Sequence, residues 1–226
     1  MYSMSVVIDG NEAILEPGEK NLLAAVDKNT GQTPWVGGGS GPPSYATPVV
    51  ATIQGVKQYV IFSAAGLHGV SPEDGQVLWM YPWKTEQDVN AATPLILGNR
   101  VFITSAYGHG SAMLRIDAEG GKLTPTLLWQ TKEMQGRFAS PVLYGGILWG
   151  GGEGNFVALD PETGKTLYKQ GGFGQPSLLA VDDVLLVFGG NGTLQMMTPT
   201  APPKIMGVTP LGGGPLRRRS WPTGSC

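Results

Sequence analysis

One turn, closed by glycine and followed four residues later by an aromatic, recurs along the chain. Ala25-Val26-Asp27-Lys28-Asn29-Thr30-Gly31-Gln32-Thr33-Pro34-Trp35 returns as Gly69-Val70-Ser71-Pro72-Glu73-Asp74-Gly75-Gln76-Val77-Leu78-Trp79 and as Ala158-Leu159-Asp160-Pro161-Glu162-Thr163-Gly164-Lys165-Thr166-Leu167-Tyr168. A looser copy, Arg115 to Gly121 with a delayed Trp129, fills the gap. Gly31, Gly75, Gly121 and Gly164 are spaced by 44, 46 and 43 residues, within the period of roughly 40 to 50 residues that marks four-stranded propeller blades.

A second mark keeps step with the first. Thr47-Pro48, Thr93-Pro94, Ser140-Pro141 and Ser177 each open an apolar run, at spacings of 46, 47 and 37. A short turn follows each, at Gln54-Gly55, Gly98-Asn99, Gly145-Gly146 or Asp182-Asp183, and then a second apolar run. Two strands joined by such a turn make a hairpin. The repeating unit is strand, turn, strand, loop, strand ending in Asp, glycine turn, and a fourth strand carrying the aromatic.

The sequence predicts an all-β fold, a β-propeller of four-stranded antiparallel blades. Five units start near residues 3, 45, 91, 138 and 175 and occupy 1–209. The fifth fades: Gly192–Met197 reads as its third strand and Lys204–Val208 as its fourth, with no Asp-x-x-Thr-Gly turn between. Residues 210–226, with Arg217-Arg218-Arg219, match no strand of any unit and are expected to be a disordered or foreign tail. The chain starts inside a strand and loses register after Met197, so it reads as part of a larger, seven- or eight-bladed ring.

Each turn has a physical logic. An Asp side chain accepts N–H groups two or three residues on, and glycine takes the positive φ that closes the hairpin. Trp35, Trp79 and Tyr168 are then expected to lie buried between neighbouring sheets, Trp35 and Trp79 at equivalent positions, with each indole N–H on a backbone partner.

Composition removes several classes of function. The net charge of −2 gives no general pull on nucleic acid or anionic lipid. With 35 glycines and 18 prolines the apolar runs are too short for a membrane helix. The sole cysteine is Cys226, which excludes an intrachain disulfide and a thiolate cluster. Met1–Ile8 lacks the basic and long apolar regions of a signal peptide.

The recurring Ala-Val-Asp or Ala-Leu-Asp, Thr-Gly and Trp signature resembles the tryptophan-docking repeat of PQQ-like β-propellers, shared by quinoprotein alcohol dehydrogenases and BamB-like scaffolds. The run Tyr45–Gln58, with Asn90–Pro94 and Ala106-Tyr107-Gly108, is most similar to bacterial PQQ-binding-like propeller proteins. The resemblance covers about residues 4–197 and implies a propeller exported to the periplasm or secreted. It implies either a non-catalytic binding scaffold or a PQQ-dependent alcohol or sugar dehydrogenase using PQQ with Ca²⁺. The vicinal Cys pair of the dehydrogenases is missing, which favours the scaffold with no cofactor.

Among individual residues, Asp27, Asp117 and Asp160 recur at one blade position, the mark of structure and not of a unique base. His68 and His109 are expected in exposed loops between second and third strands, and two imidazoles make a poor metal site. Gly150–Asn155 offers Gly-x-Gly but runs into a strand where a dinucleotide fingerprint needs a helix. Ser40 and Ser111 lack a nucleophile elbow, and Asn191-Gly192-Thr193 reads as a turn more readily than as a glycosylation site. The residues just before each first strand, Tyr45, Asn90, Arg137 and Gln175, are expected to ring the channel mouth, where a protein or small-molecule ligand would bind.

Overall fold

The computed structural model describes residues 4–18, 20–42, 44–86 and 88–211. Twenty strands form five antiparallel sheets of four, each laid down in chain order, and no helix occurs among the described residues. The first blade comprises β1 (Val7–Asp9), β2 (Glu12–Leu15), β3 (Leu23–Asp27) and β4 (Trp35–Gly37). The second comprises β5 (Val49–Ile53), β6 (Val56–Phe62), β7 (Gly66–Val70) and β8 (Val77–Pro82). In the third, β9 (Leu95–Leu97) and β10 (Arg100–Ser105) precede a long hairpin of β11 (Gly110–Glu119) and β12 (Lys122–Thr131). The fourth has β13 (Val142–Tyr144), β14 (Ile147–Gly151), β15 (Gly154–Leu159) and β16 (Thr166–Gly174). The fifth has β17 (Ser177–Val181), β18 (Val184–Phe188), β19 (Thr193–Met197) and β20 (Ile205–Pro210).

The chain is therefore a propeller of five four-stranded blades, and the faded fifth unit is complete. Its last strand runs to Pro210, paired with Thr193. The expected tail otherwise lies outside the described residues.

In the second, third and fourth blades the second and third strands have sheets on both faces, so they read as continuous apolar runs instead of alternating. Gln58–Phe62 of β6 and all of β7 are buried. The core lies in the seams. One hydrophobic cluster joins the first and second blades around Ile14, Trp35 and Tyr59, and another joins the second and third around Phe62, Trp79 and Val101. Phe102, Trp129 and Leu159 join the third to the fourth, and Trp149, Phe156 and Leu185 join the fourth to the fifth. No cluster among the described residues joins the fifth blade to the first.

Two local devices recur. In blades two to five the fourth strand carries one extra residue, Leu78, Leu128, Leu167 or Met206, immediately before the position of the aromatic. A bulge of this kind sharpens the twist and re-aims the next side chain. The hydroxyls that open the blades act elsewhere, at the crossings between blades. Thr47 Oγ accepts the Ser5 N–H at 3.2 Å, and Ser140 Oγ accepts the Thr93 N–H at 3.0 Å. At these two crossings the Thr/Ser hydroxyl ties the entry of one blade to the entry of the next.

Candidate functional site

A meander places the turns between strands 1–2 and 3–4 at one end of every blade, and the 2–3 loops with the blade-to-blade crossings at the other. At the first end two of the repeated acids are held by their own backbone. Asp27 Oδ1 accepts the N–H groups of Asn29 (2.9 Å) and Thr30 (2.8 Å), and Asp160 Oδ1 accepts those of Glu162 (2.8 Å) and Thr163 (2.9 Å). The Thr30 and Thr163 N–H groups, foremost, hold these carboxyls below the ordinary range. Asp117 departs from the expected equivalence. The third blade turns at Gly120-Gly121, where both residues have positive φ, so Asp117 remains in β11, paired with Arg115 at 2.7 Å.

The turns serve as platforms for indoles from the preceding blade. Trp35 donates its N–H to the Pro72 carbonyl at 2.9 Å and Trp129 donates to that of Pro161 at 3.1 Å. Their rings cover Gly75 and Gly164 so closely that a Cβ at either glycine would collide with the ring. The docked pair is therefore Trp35 and Trp129, not Trp35 and Trp79. Trp79 is buried on its fourth strand as expected, but the third blade lacks the platform, and the indole donates to Gln58 Oε1 of its own blade at 2.6 Å. Tyr168 is only half-buried, because the fifth blade replaces the platform with Thr198–Lys204, and its hydroxyl donates to Gln170.

At the other end stand the four predicted rim residues, one before each of blades two to five. Tyr45 and Gln175 are exposed and Arg137 is half-buried. Asn90 differs: it is 0% exposed, so it is not a rim ligand. Its amide donates to the carbonyls of Ser63 (2.8 Å) and Trp83 (3.3 Å) and accepts the Ser105 hydroxyl at 2.6 Å. Its carbonyl accepts the Ser44 hydroxyl at 2.8 Å and the Tyr45 N–H at 3.2 Å. A side chain with every donor and acceptor engaged in the interior staples the second blade to the third. The bond from Tyr45 is the one hydrogen bond that links any two of the four.

The loops instead gather a different group around Arg137. Its guanidinium carbon lies 5.0 Å from the centre of the Tyr107 ring and 5.1 Å from that of Phe138, within the range of cation–π attraction. Its Nε is buried without a partner. Phe138 is 65% exposed, unusual for phenylalanine. Tyr107 has φ of 60°, a strained backbone, and the following Gly108 N–H is fixed by Gln135 Oε1 at 2.7 Å. The sequence carried the signal in Ala106-Tyr107-Gly108 and Arg137-Phe138, but only the topology brings the two segments together.

Beside this group His109 stacks edge-on to Trp83, with centroids 4.6 Å apart. Burial and then the Lys132 charge hold its imidazole below its ordinary range, against Glu86. His68 is not in an exposed loop: it lies within β7, 4% exposed, with Nε2 3.0 Å from Ser63 Oγ. Burial lowers it to about 4. Among the described residues no three His, Cys, Asp or Glu side chains gather where they would hold a metal ion.

The family model described as outer membrane protein assembly factor BamB matches residues 3–198. The chain belongs to the BamB family of PQQ-like propellers. The crystal structure of BamB from Moraxella catarrhalis superposes with a TM-score of 0.70 at 16% identity, over 92% of this chain and 63% of that one. The computationally designed Ika8 protein gives 0.62 at 14% identity, over 86% of this chain and 57% of that one. At these identities the likeness concerns the fold, and this BamB-like chain spans less than two thirds of either structure. No curated protein matches it in sequence.

Proposed function

We propose that this chain is a non-catalytic binding scaffold, part of a larger BamB-like propeller exported to the periplasm, which holds a partner segment at its loop end. The observation that carries the reading is Arg137, half-buried between Tyr107 and the exposed Phe138, with Nε unpaired. An arginine fixed between two rings presents the rest of its fork outward, and that fork matches a carboxylate in bidentate fashion. The rings add flat apolar surface of the kind that anchors interfaces. Tyr45 and Gln175, exposed at the same end, extend the surface to neighbouring blades. At the opposite end Asp27 and Asp160 are spent on their own turns, and Asp9, Asp117 and Glu162 are paired with Lys57, Arg115 and Arg100.

The ligand class that fits is an extended peptide presenting a carboxylate beside an apolar side chain. Fluorescence anisotropy with peptides ending in a free carboxylate, against the same peptides amidated, tests it. Binding of the carboxylate form is expected to weaken at least about tenfold in Arg137→Ala, the worth of one charge-assisted hydrogen bond. Equal binding by wild type and Arg137→Ala would overturn the site. A bound chromophore and dye-linked alcohol oxidation on adding PQQ and Ca²⁺ would overturn the scaffold in favour of a quinoprotein dehydrogenase.

A further inference from the structure

Arg137 shares its place with a second group able to carry positive charge. The segment that supplies Tyr107 closes as a turn, in which the His109 N–H donates to the Ala106 carbonyl at 3.3 Å. His109 therefore comes two residues after the ring whose centre lies 5.0 Å from the Arg137 guanidinium carbon. The imidazole is held from behind. Trp83, 4% exposed, meets it edge-on, with ring planes at 69° and centroids 4.6 Å apart. The indole N–H donates to Ser105 Oγ at 3.0 Å, and that hydroxyl donates to Asn90 Oδ1 at 2.6 Å. The buried polar seam thus ends at a titratable ring, and no hydrogen bond engages that ring among the described residues.

The charges around His109 come from three segments. The crossing after β8 carries Lys84, Glu86 and Asp88, Lys132 and Glu133 follow β12, and the next loop carries Arg137. Glu133 is taken by Lys169 at 2.8 Å, whereas Lys132 and Arg137 have no ion-pair partner among the described residues. Lys132 opposes protonation of His109 and Glu86 favours it. His109, Lys132 and Arg137 repel one another when all are charged, and a carboxylate brought among them relieves that repulsion.

We infer that His109 is the second binding group of the Arg137 site: its imidazolium closes on the same ligand carboxylate as the Arg137 fork, so the site grips carboxylate peptides more tightly as pH falls from 7.5 to 5.5. This rests on the reading of Arg137 as a carboxylate site. In the free protein burial and then Lys132 disfavour the charged ring, so His109 is neutral at pH 7.5. A bound carboxylate favours the charged ring, binding takes up a proton, and affinity rises as pH drops through the imidazole range. A peptide α-carboxyl, with an ordinary pKa of about 3.3 to 3.7, stays ionised throughout. His68, the one other histidine, is lowered to about 4 and stays neutral over this window.

Anisotropy with a peptide ending in a free carboxylate, repeated from pH 7.5 to pH 5.5, should show binding tighten by at least about threefold, the worth of one further ion pair near the surface. His109→Gln should lose that gain. A flat profile in the wild type, or a gain that survives in His109→Gln, overturns the inference and leaves the Arg137 site standing. Binding that Arg137→Ala does not weaken overturns the Arg137 site itself. A second readout needs no peptide: the His109 Cε1–H resonance is titrated with pH in sodium acetate and in sodium chloride of equal ionic strength. Acetate should raise the midpoint in the wild type and not in Arg137→Ala. Equal midpoints in the two salts, or an equal rise in Arg137→Ala, overturn the shared carboxylate.

Discussion

The seam between the first and second blades and the seam between the second and third solve one packing problem by different means. The first closes from outside: Trp35 lies on the Gly75 platform with its N–H on the Pro72 carbonyl. The second has no platform, because β11 and β12 run on as a hairpin of two ten-residue strands turning at Gly120-Gly121. It closes from within, through Trp79, oriented by Gln58 of its own blade and packed against the third, and through the hydrogen bonds that join Asn90, Ser63, Trp83 and Ser105. An indole on a turn gains mainly by buried apolar area, which tolerates small displacements. A buried polar network gains little net energy but fixes one arrangement, since any shift leaves a group unpaired. The polar seam also lies beneath the loops that position Tyr107, so rigidity is placed where a binding surface needs it.

Removing an indole from a platform should have the largest effect. Trp35→Ala is expected to cost about 3 to 5 kcal/mol in urea unfolding, the usual range for deleting a buried tryptophan, and Trp129→Ala, at a half-buried ring, somewhat less. Trp79→Ala should cost as much but respond differently to Gln58→Leu. The pair would be strongly non-additive at the second seam, whereas Gln58→Leu and Trp35→Ala should simply add. Additivity in both combinations would erase the distinction between the seams.

Next comes the staple itself. Asn90→Ala leaves the Ser63 and Trp83 carbonyls and the Ser105 hydroxyl without partners in the interior, for a loss of roughly 3 kcal/mol. Asn90→Asp should be at least as damaging, because a carboxylate would face two carbonyls. A loss below about 1 kcal/mol by urea unfolding would mean that water or side-chain rearrangement replaces the network.

What the sequence made legible was whatever repeats. The Gly31, Gly75 and Gly164 turns, the Thr/Ser entries and the fourth-strand aromatics announce five blades because each blade meets the same steric demand. The seams were less legible, because a docking partner is defined by two blades at once. Trp129 sits eight residues past Gly121 instead of four, since the long hairpin delays the bulge, yet it is one of the two fully docked indoles. Asn90 looked like a polar rim residue because it precedes a strand, and nothing local to it announces that Ser63, Trp83 and Ser105 converge there. Arg137 was visible as a charge on a loop, while its two rings come from segments about thirty residues apart.

A smaller effect should follow acidification. His68 is buried in β7 and its imidazole is lowered to about 4 from an ordinary 6.5. The folded protein disfavours the charged ring, so the unfolded chain binds the proton first as pH falls. The stability that depends on neutral His68 is present above about pH 6.5 and is lost progressively toward pH 4, by about 2 kcal/mol between pH 7 and pH 5. Chemical denaturation at a series of pH values checks this. His68→Gln should flatten that limb, and an unchanged slope would place the sensitivity on another group.

The least perturbing change belongs to the loop end, where the distinction between structure and function is sharpest. Arg137 makes no hydrogen bond or ion pair among the described residues, and it touches the Tyr107 and Phe138 rings only by cation–π contact. Contacts of that kind near the surface are worth about 0.5 to 1 kcal/mol, far below the cost of emptying a seam. Arg137→Ala should therefore lower stability by no more than about 1 kcal/mol while reducing binding of carboxylate peptides at least about tenfold. Arg137→Lys keeps the charge but loses the planar fork and the stacking, so it should recover little of that binding. If Lys restored it fully, a diffuse positive charge would be enough. If Arg137→Ala instead destabilised the chain as Asn90→Ala does, Arg137 would belong with the seams and not with the surface.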